Sequence, residues 1–104
     1  MNKVQLVGRL AKDIKAGNGV NYITVAVNRN YKNKAGQYEA DFIDLRIFPK
    51  SEKHQAFLTD NLKKGRLVTV DAHIQSNQYE KDGATVYDTA FIVDRINPFL
   101  TAAK

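Results

Sequence analysis

The sequence predicts an all-β domain carrying one short helix. Three observations carry that expectation. Apolar and polar residues alternate with a period of two in five separate stretches. One stretch between the third and the fourth has helix start and stop signals. Turn signals punctuate the rest: Gly17-Asn18-Gly19, Gly36 in a polar loop, Asp82-Gly83 and Asn97-Pro98. With 104 residues, 43% of them apolar, the chain has room for one core. Residues 1–100 are expected to form that domain and residues 101–104 a short tail.

The first strand spans 3–10. Val4, Leu6, Gly8 and Leu10 share one side, and the glycine predicts a bend or bulge, as at a barrel corner. Residues 11–19 are a short polar connection. The second strand spans 20–31, with Ile23, Val25 and Val27 as its core stripe. Strict alternation would carry Arg29 and Tyr31 inward too, so a bulge or coiling near Asn28 is expected to turn the strand end outward. Residues 32–37 form a hairpin loop, and the third strand, 38–49, stops at Pro49.

Ser51 is the expected N-cap of a helix over 51–64, with Glu52 in its first turn. Phe57, Leu58 and Leu62 form its apolar face, Lys63-Lys64 suits its C-terminus, and Gly65 is expected to end it. In the fourth strand, 66–79, Val68, Val70, Ala72 and Ile74 face one way. Thr69, Asp71, His73, Gln75, Asn77 and Tyr79 face the other. Asp82-Gly83 is a hairpin turn into the fifth strand, 84–97, with Phe91, Val93 and Tyr87 inward.

Five strands with a helix between the third and fourth is the order of the OB-fold. That is a five-stranded Greek-key barrel that binds oligonucleotides or oligosaccharides. A small antiparallel α+β sheet is the alternative.

The third strand is two-faced. Ile43, Leu45 and Ile47 make an ordinary core stripe. The opposite face carries Phe42, Asp44, Arg46 and Phe48. Two aromatics flanking a cation are either a stacking platform for unpaired bases or one side of a strand buried on both faces. Asp44 fits the platform poorly, since it repels phosphate; pairing with Arg46 or with a cation on a neighbouring strand would offset it.

The net charge is +5, and the excess lies in the first two-fifths of the chain. Residues 1–40 hold seven Lys/Arg against Asp13 and Glu39, whereas 41–104 balance at nine each. A polyanionic partner follows naturally. There is no cysteine, which excludes disulfides, cysteine zinc sites and thiol catalysis. No apolar run approaches the roughly 18 residues of a membrane span, and no signal-like stretch opens the chain. A soluble, intracellular protein without membrane contact is expected.

Several motifs then add up to a family resemblance. Asn2–Asp13, Asn18-Gly19-Val20, Ile23–Arg29, Ala40–Ile43, Asn61–Gly65, Val68-Thr69-Val70 and Gln75–Tyr79 with Asp82-Gly83 together resemble bacterial-type single-stranded DNA-binding proteins. The likeness runs from about residue 2 to 100. It implies an OB-fold and sequence-independent binding and protection of single-stranded DNA in replication, recombination or repair. It implies four stacking aromatics, at Tyr31, Phe42, Phe48 and Tyr79. It also implies a homotetramer, or less often a dimer. Around the aromatics, Arg9, Arg29, Lys32, Lys34, Arg46, Lys50 and Lys81 are the candidate phosphate contacts.

Two departures from the family pattern stand out. The 12–19 connection is several residues shorter. The family's long tail with an acidic, Phe-ended tip, which recruits replication and recombination proteins, has no counterpart in residues 1–104. That suggests a shortened chain or a minimal member from a phage or mobile element, with recruitment through such a tail not expected.

Plainer readings exist for some of these residues. Tyr79 would serve as a hairpin cap, Lys32 and Lys34 as a solvated turn, Lys63-Lys64 as helix-end charge, and His73 as a surface or subunit-interface residue. No enzyme and no cofactor are expected. His54 and His73 lie on different elements, Asp41 and Asp44 face opposite sides of one strand, and no nucleotide loop or nucleophile motif occurs. An OB-fold module working mainly through protein contacts is the remaining class.

Overall fold

A computed structural model describes residues 1–99. The expected 101–104 tail lies outside the described residues. Seven elements follow one another: β1 (Val4–Leu10), β2 (Lys15–Ala16), β3 (Asn21–Lys32), β4 (Tyr38–Ile47), α1 (Glu52–Asn61), β5 (Leu67–Lys81) and β6 (Ala84–Pro98). The sheet runs β1-β5-β6-β4-β3-β2, and β1 also pairs with β3. That extra pairing closes five strands into the expected barrel.

Closure depends on β1 changing partners. Its residues pair with β5 from Val4↔Ala72 to Arg9↔Leu67, while Arg9 and Leu10 also meet Ala26 and Val25 of β3. Gly8 sits at this corner. A Cβ there would lie 2.3 Å from the Ala26 carbonyl oxygen and 2.9 Å from Val25 Cγ1. The strand fits only because that atom is missing. At the other seam β4 and β6 run parallel and meet through Arg46↔Ile92.

The core lies inside the barrel. Leu10, Ile23, Val25, Leu45, Ile47, Val68, Val70, Ala72 and Ile96 form it with Leu58 and Leu62 of the helix. Phe91 and Val93 pack against it, as their phase predicts. Ser51 caps the helix, its Oγ accepting the His54 N–H at 3.1 Å. The helix plugs one barrel end through an amide pair. Buried Asn21 donates from Nδ2 to Gln55 Oε1 at 2.8 Å, and Gln55 Nε2 donates back to Asn21 Oδ1 at 3.1 Å.

Several details differ from expectation, each for a local reason. The helix ends at Asn61 with Leu62 as its C-cap, where the backbone leaves helical values and the Leu62 carbonyl accepts from the Ile14 N–H at 3.0 Å. Gly65, at φ +88°, belongs to the turn beyond, where Arg66 N–H reaches Lys63 O and Gly65 N–H reaches Leu10 O. Lys63-Lys64 therefore lies outside the last helical turn. Phe57 is exposed. Ile74 and Tyr87 keep the core-facing phase but are exposed, because β1 covers β5 only as far as Ala72 and the β5–β6 hairpin runs on past it. The 11–19 connection contains the unexpected β2, where Lys15↔Tyr22 and Ala16↔Asn21 pair with β3.

Candidate nucleic-acid interface

Cross-strand partners share a sheet face. The β3–β4 register gives Ala26↔Phe42, Thr24↔Asp44 and Tyr22↔Arg46 on the outer face. The same register puts Ile23↔Leu45 and Val25↔Ile43 on the inner one. Arg46 meets Ile92, and Ile92 opposite His73 leads along β5 to Gln75, Asn77 and Tyr79. Phe42, Arg46 and Tyr79 thus belong to one continuous outer face that crosses β4, β6 and β5. Phe48 lies just past the end of β4, and Tyr31 within the irregular pairing between Asn28 and Lys32. That irregularity is the bulge expected near Asn28.

All four expected stacking residues are open to solvent. Tyr31 is 65% exposed, Phe42 67%, Phe48 53% and Tyr79 51%. Large apolar groups left uncovered in a group usually mark a binding surface. This decides the two readings of Phe42 and Phe48: neither belongs to a face buried inside the fold.

The seven candidate cations divide into two sets. Arg9 donates from Nη1 to the Gly65 carbonyl at 2.9 Å. Arg29 is clamped: Nη2 lies 2.8 Å from Asp41 Oδ1, and Nη1 lies 2.9 Å from Glu39 Oε1. Its hydrogen bond to Asp41 raises the guanidinium pKa further above its usual value, and the same bond lowers that of the Asp41 carboxyl. Two carboxylates against one cation leave that cluster net negative. Arg46 reaches Asp88 more loosely, at 3.5 Å. Among the described residues Lys32, Lys34, Lys50 and Lys81 have no carboxylate partner, and Lys32 Nζ sits 5.7 Å from the centre of the Tyr38 ring.

Asp44 is explained differently from the expectation. It pairs with neither Arg46 nor a neighbouring cation. The Thr24 hydroxyl donates to its Oδ1 at 2.6 Å. The two residues are cross-strand partners, and Thr24 is buried. His73 lies on the β5 stretch of the outer face, 2.9 Å from Asp94.

Sequence reasoning missed Tyr22. It is exposed, stands opposite Arg46, and walls a solvent-open groove of about 680 Å³. The signal was available: Tyr22, Thr24 and Ala26 alternate with Ile23, Val25 and Val27, so the outward face could be read alongside the core stripe. Among the described residues no group of three or more His, Cys, Asp or Glu converges as a metal site.

The model of the Single-strand binding protein family matches residues 1–99. This chain belongs to that family. Single-stranded DNA-binding protein B of Bacillus subtilis is 39% identical to it, over 91% of this chain and 87% of its own length. Single-stranded DNA-binding protein 3 of Listeria innocua is 42% identical over 92% of this chain, which spans 62% of that longer protein. Among solved structures, the barrel is similar to a Plasmodium falciparum SSB in complex with ssDNA, at TM-score 0.66, 20% identity and 98% coverage of this chain. It is also similar to the Saccharomyces cerevisiae mitochondrial protein Rim1, at TM-score 0.68, 22% identity and 98% coverage. At such identity, those two likenesses speak for the fold. As a Single-strand binding protein family member, the chain has the barrel that the strand-and-helix order predicts.

Proposed function

We propose that this protein binds single-stranded DNA without regard to sequence and protects it during replication, recombination or repair. One observation carries the reading: Tyr31, Phe42, Phe48 and Tyr79 are all exposed, around an outer face that also holds Arg46. Family membership and the names of the relatives point the same way.

The chemistry follows from what an unpaired strand offers. Its bases expose π-faces that a duplex hides, and every base has one. Stacking on Tyr or Phe is worth about 1–3 kcal/mol per base and carries little sequence information. Lys32, Lys34, Lys50 and Lys81 stand free to meet phosphates and release counterions, with Arg46 beside the two phenylalanines. Arg9 and Arg29 already hold internal partners, so their contribution requires phosphate to replace Gly65 O in one case and the Asp41–Glu39 pair in the other.

The working form is proposed to be a homotetramer, or a dimer, in the cytoplasm near the nucleoid. Replication or recombination proteins would be its neighbours there. Among the described residues no helix is long and apolar enough to cross a membrane.

The test is titration of a fluorescent oligo(dT) and of a duplex of equal length, at two salt concentrations, with light scattering for subunit number. Tight oligo(dT) binding that weakens steeply with salt is expected, with much weaker duplex binding. Equal competition by duplex at moderate salt would overturn the reading.

A further inference from the structure

The groove beside Tyr22 is not accounted for by the four-aromatic track. Tyr22 forms one wall and Arg46 stands opposite it; Thr24 and Asp44 lie one rung along, with Lys12 and Lys15 at the edge. A strand advances about 3.4 Å per residue, so neighbouring rungs on one face are about 7 Å apart, room for a flat ring stacked against Tyr22 beside the Asp44 rung. Asp44 Oδ1 is held by Thr24, and among the described residues Oδ2 has no partner. The carboxylate is therefore oriented, with one oxygen to spare.

A fixed carboxylate repels phosphate and accepts N–H groups. Lys12, Lys15 and Arg46 around it attract phosphate, against Asp13 on the same lining and Asp88, which Arg46 reaches at 3.5 Å. The two demands are met together by a nucleotide whose neutral base enters the groove while its phosphates stay at the edge. Bases differ in what they offer a carboxylate. Cytosine presents its 4-amino group, adenine its 6-amino group, and guanine both N1–H and a 2-amino group. Thymine presents one N–H between two carbonyl oxygens, which the carboxylate repels.

We infer that the Tyr22–Asp44 groove is a nucleobase subsite that favours bases carrying an exocyclic amino group over thymine. The inference rests on the single-strand reading and adds a base preference to it. Tyr22 stacks on the base, and Asp44 Oδ2 accepts from the amino group. Thr24 acts as a positioning residue that fixes the carboxylate. Lys12, Lys15 and Arg46 take the flanking phosphates.

The test compares three oligomers of equal length: oligo(dT), alternating dT/dC, and the same alternating oligomer with each cytosine replaced by 2-pyrimidinone, which lacks the amino group. Wild-type protein is expected to bind the dT/dC oligomer about tenfold more tightly than oligo(dT), the low end for one hydrogen bond to a charged group. The 2-pyrimidinone oligomer is expected to lose that advantage, a readout that needs no variant to fold. Asp44→Asn, which can still accept from Thr24, is expected to abolish the advantage, with oligo(dT) affinity held or raised because the charge that repels phosphate and the thymine carbonyls is gone. Tyr22→Ala should weaken the dT/dC oligomer more than oligo(dT), and Tyr22→Phe should restore it. Equal binding of the cytosine and 2-pyrimidinone oligomers, or an advantage that survives Asp44→Asn, overturns the inference while the single-strand reading stands. Failure of wild-type protein to bind any of the three overturns both.

Discussion

In the closed part of the barrel, Ile23, Val25, Leu45 and Ile47 are buried between sheet and helix. Further along the same faces the hairpins leave the barrel, and the same phase then carries different residues. Glu39 and Asp41 continue the Ile43–Leu45–Ile47 stripe of β4, and Arg29 reaches both of them. On the other hairpin Ile74 and Tyr87 continue the core phase into solvent. Alternation determines which way a side chain points; cover from a third element determines whether it is buried. In the barrel that cover is β1 and α1, and the hairpins extend beyond β1. The protein thus has a closed part filled by apolar side chains and two arms that offer surface.

Substitutions in the two regions should behave oppositely. Gly8→Ala attacks closure, because its Cβ would meet backbone at 2.3 Å. It should cost about 3 kcal/mol of stability, the upper range for overpacking, read as a lowered midpoint in thermal or urea unfolding. A melt like wild type would show that β1 can shift at the corner. Phe42→Ala or Phe48→Ala attacks the outer face. Each should weaken oligo(dT) binding by about 1–3 kcal/mol while leaving the melt nearly unchanged. If either change unfolded the chain, that position would belong to the core after all.

Smaller effects separate the cations. Lys32→Ala, Lys34→Ala and Arg46→Ala should each lower the salt dependence of binding by about one ion. Arg29→Gln should lower it less, since Arg29 is already held by Asp41 and Glu39. A full ion lost there would mean that phosphate displaces the carboxylates. The smallest effect is in the acid limb. The folded Asp41 pKa lies below its unfolded value, so its contribution is present above the unfolded pKa and fades as pH falls through the folded one. An NMR titration of Asp41 should therefore show a midpoint below the usual carboxylate, about 3.9, returning toward it in Arg29→Gln.

Much of the barrel was legible in the sequence because its signals are local. Gly8, Ser51, the break near Asn28 and each strand's phase can be read within a few residues. What could not be read depends on register between strands. Nothing within 42–48 says that Asp44 faces Thr24 and not a cation, or that Arg46 faces Tyr22. The Asn21–Gln55 pair joins residues 34 apart in sequence, and β2 is two residues long, too short for periodicity to register. Phe42 and Phe48 stood out because they share a strand face with Arg46, and Tyr31 and Tyr79 joined them through the family resemblance. Arg29 did not stand apart from the other cations because its two carboxylates lie across a hairpin.

The parallel seam between β4 and β6 has a dynamic consequence. Antiparallel ladders run the length of β5–β6 and much of β3–β4, whereas β4 and β6 meet at Arg46↔Ile92. That makes the seam the slat most easily parted in the stave wall, and its amides should exchange with solvent sooner than those inside the ladders. A nucleic acid strand laid across Phe42, Arg46 and Tyr79 would act there as a hoop. The slowing of exchange it imposes should be greatest along this line.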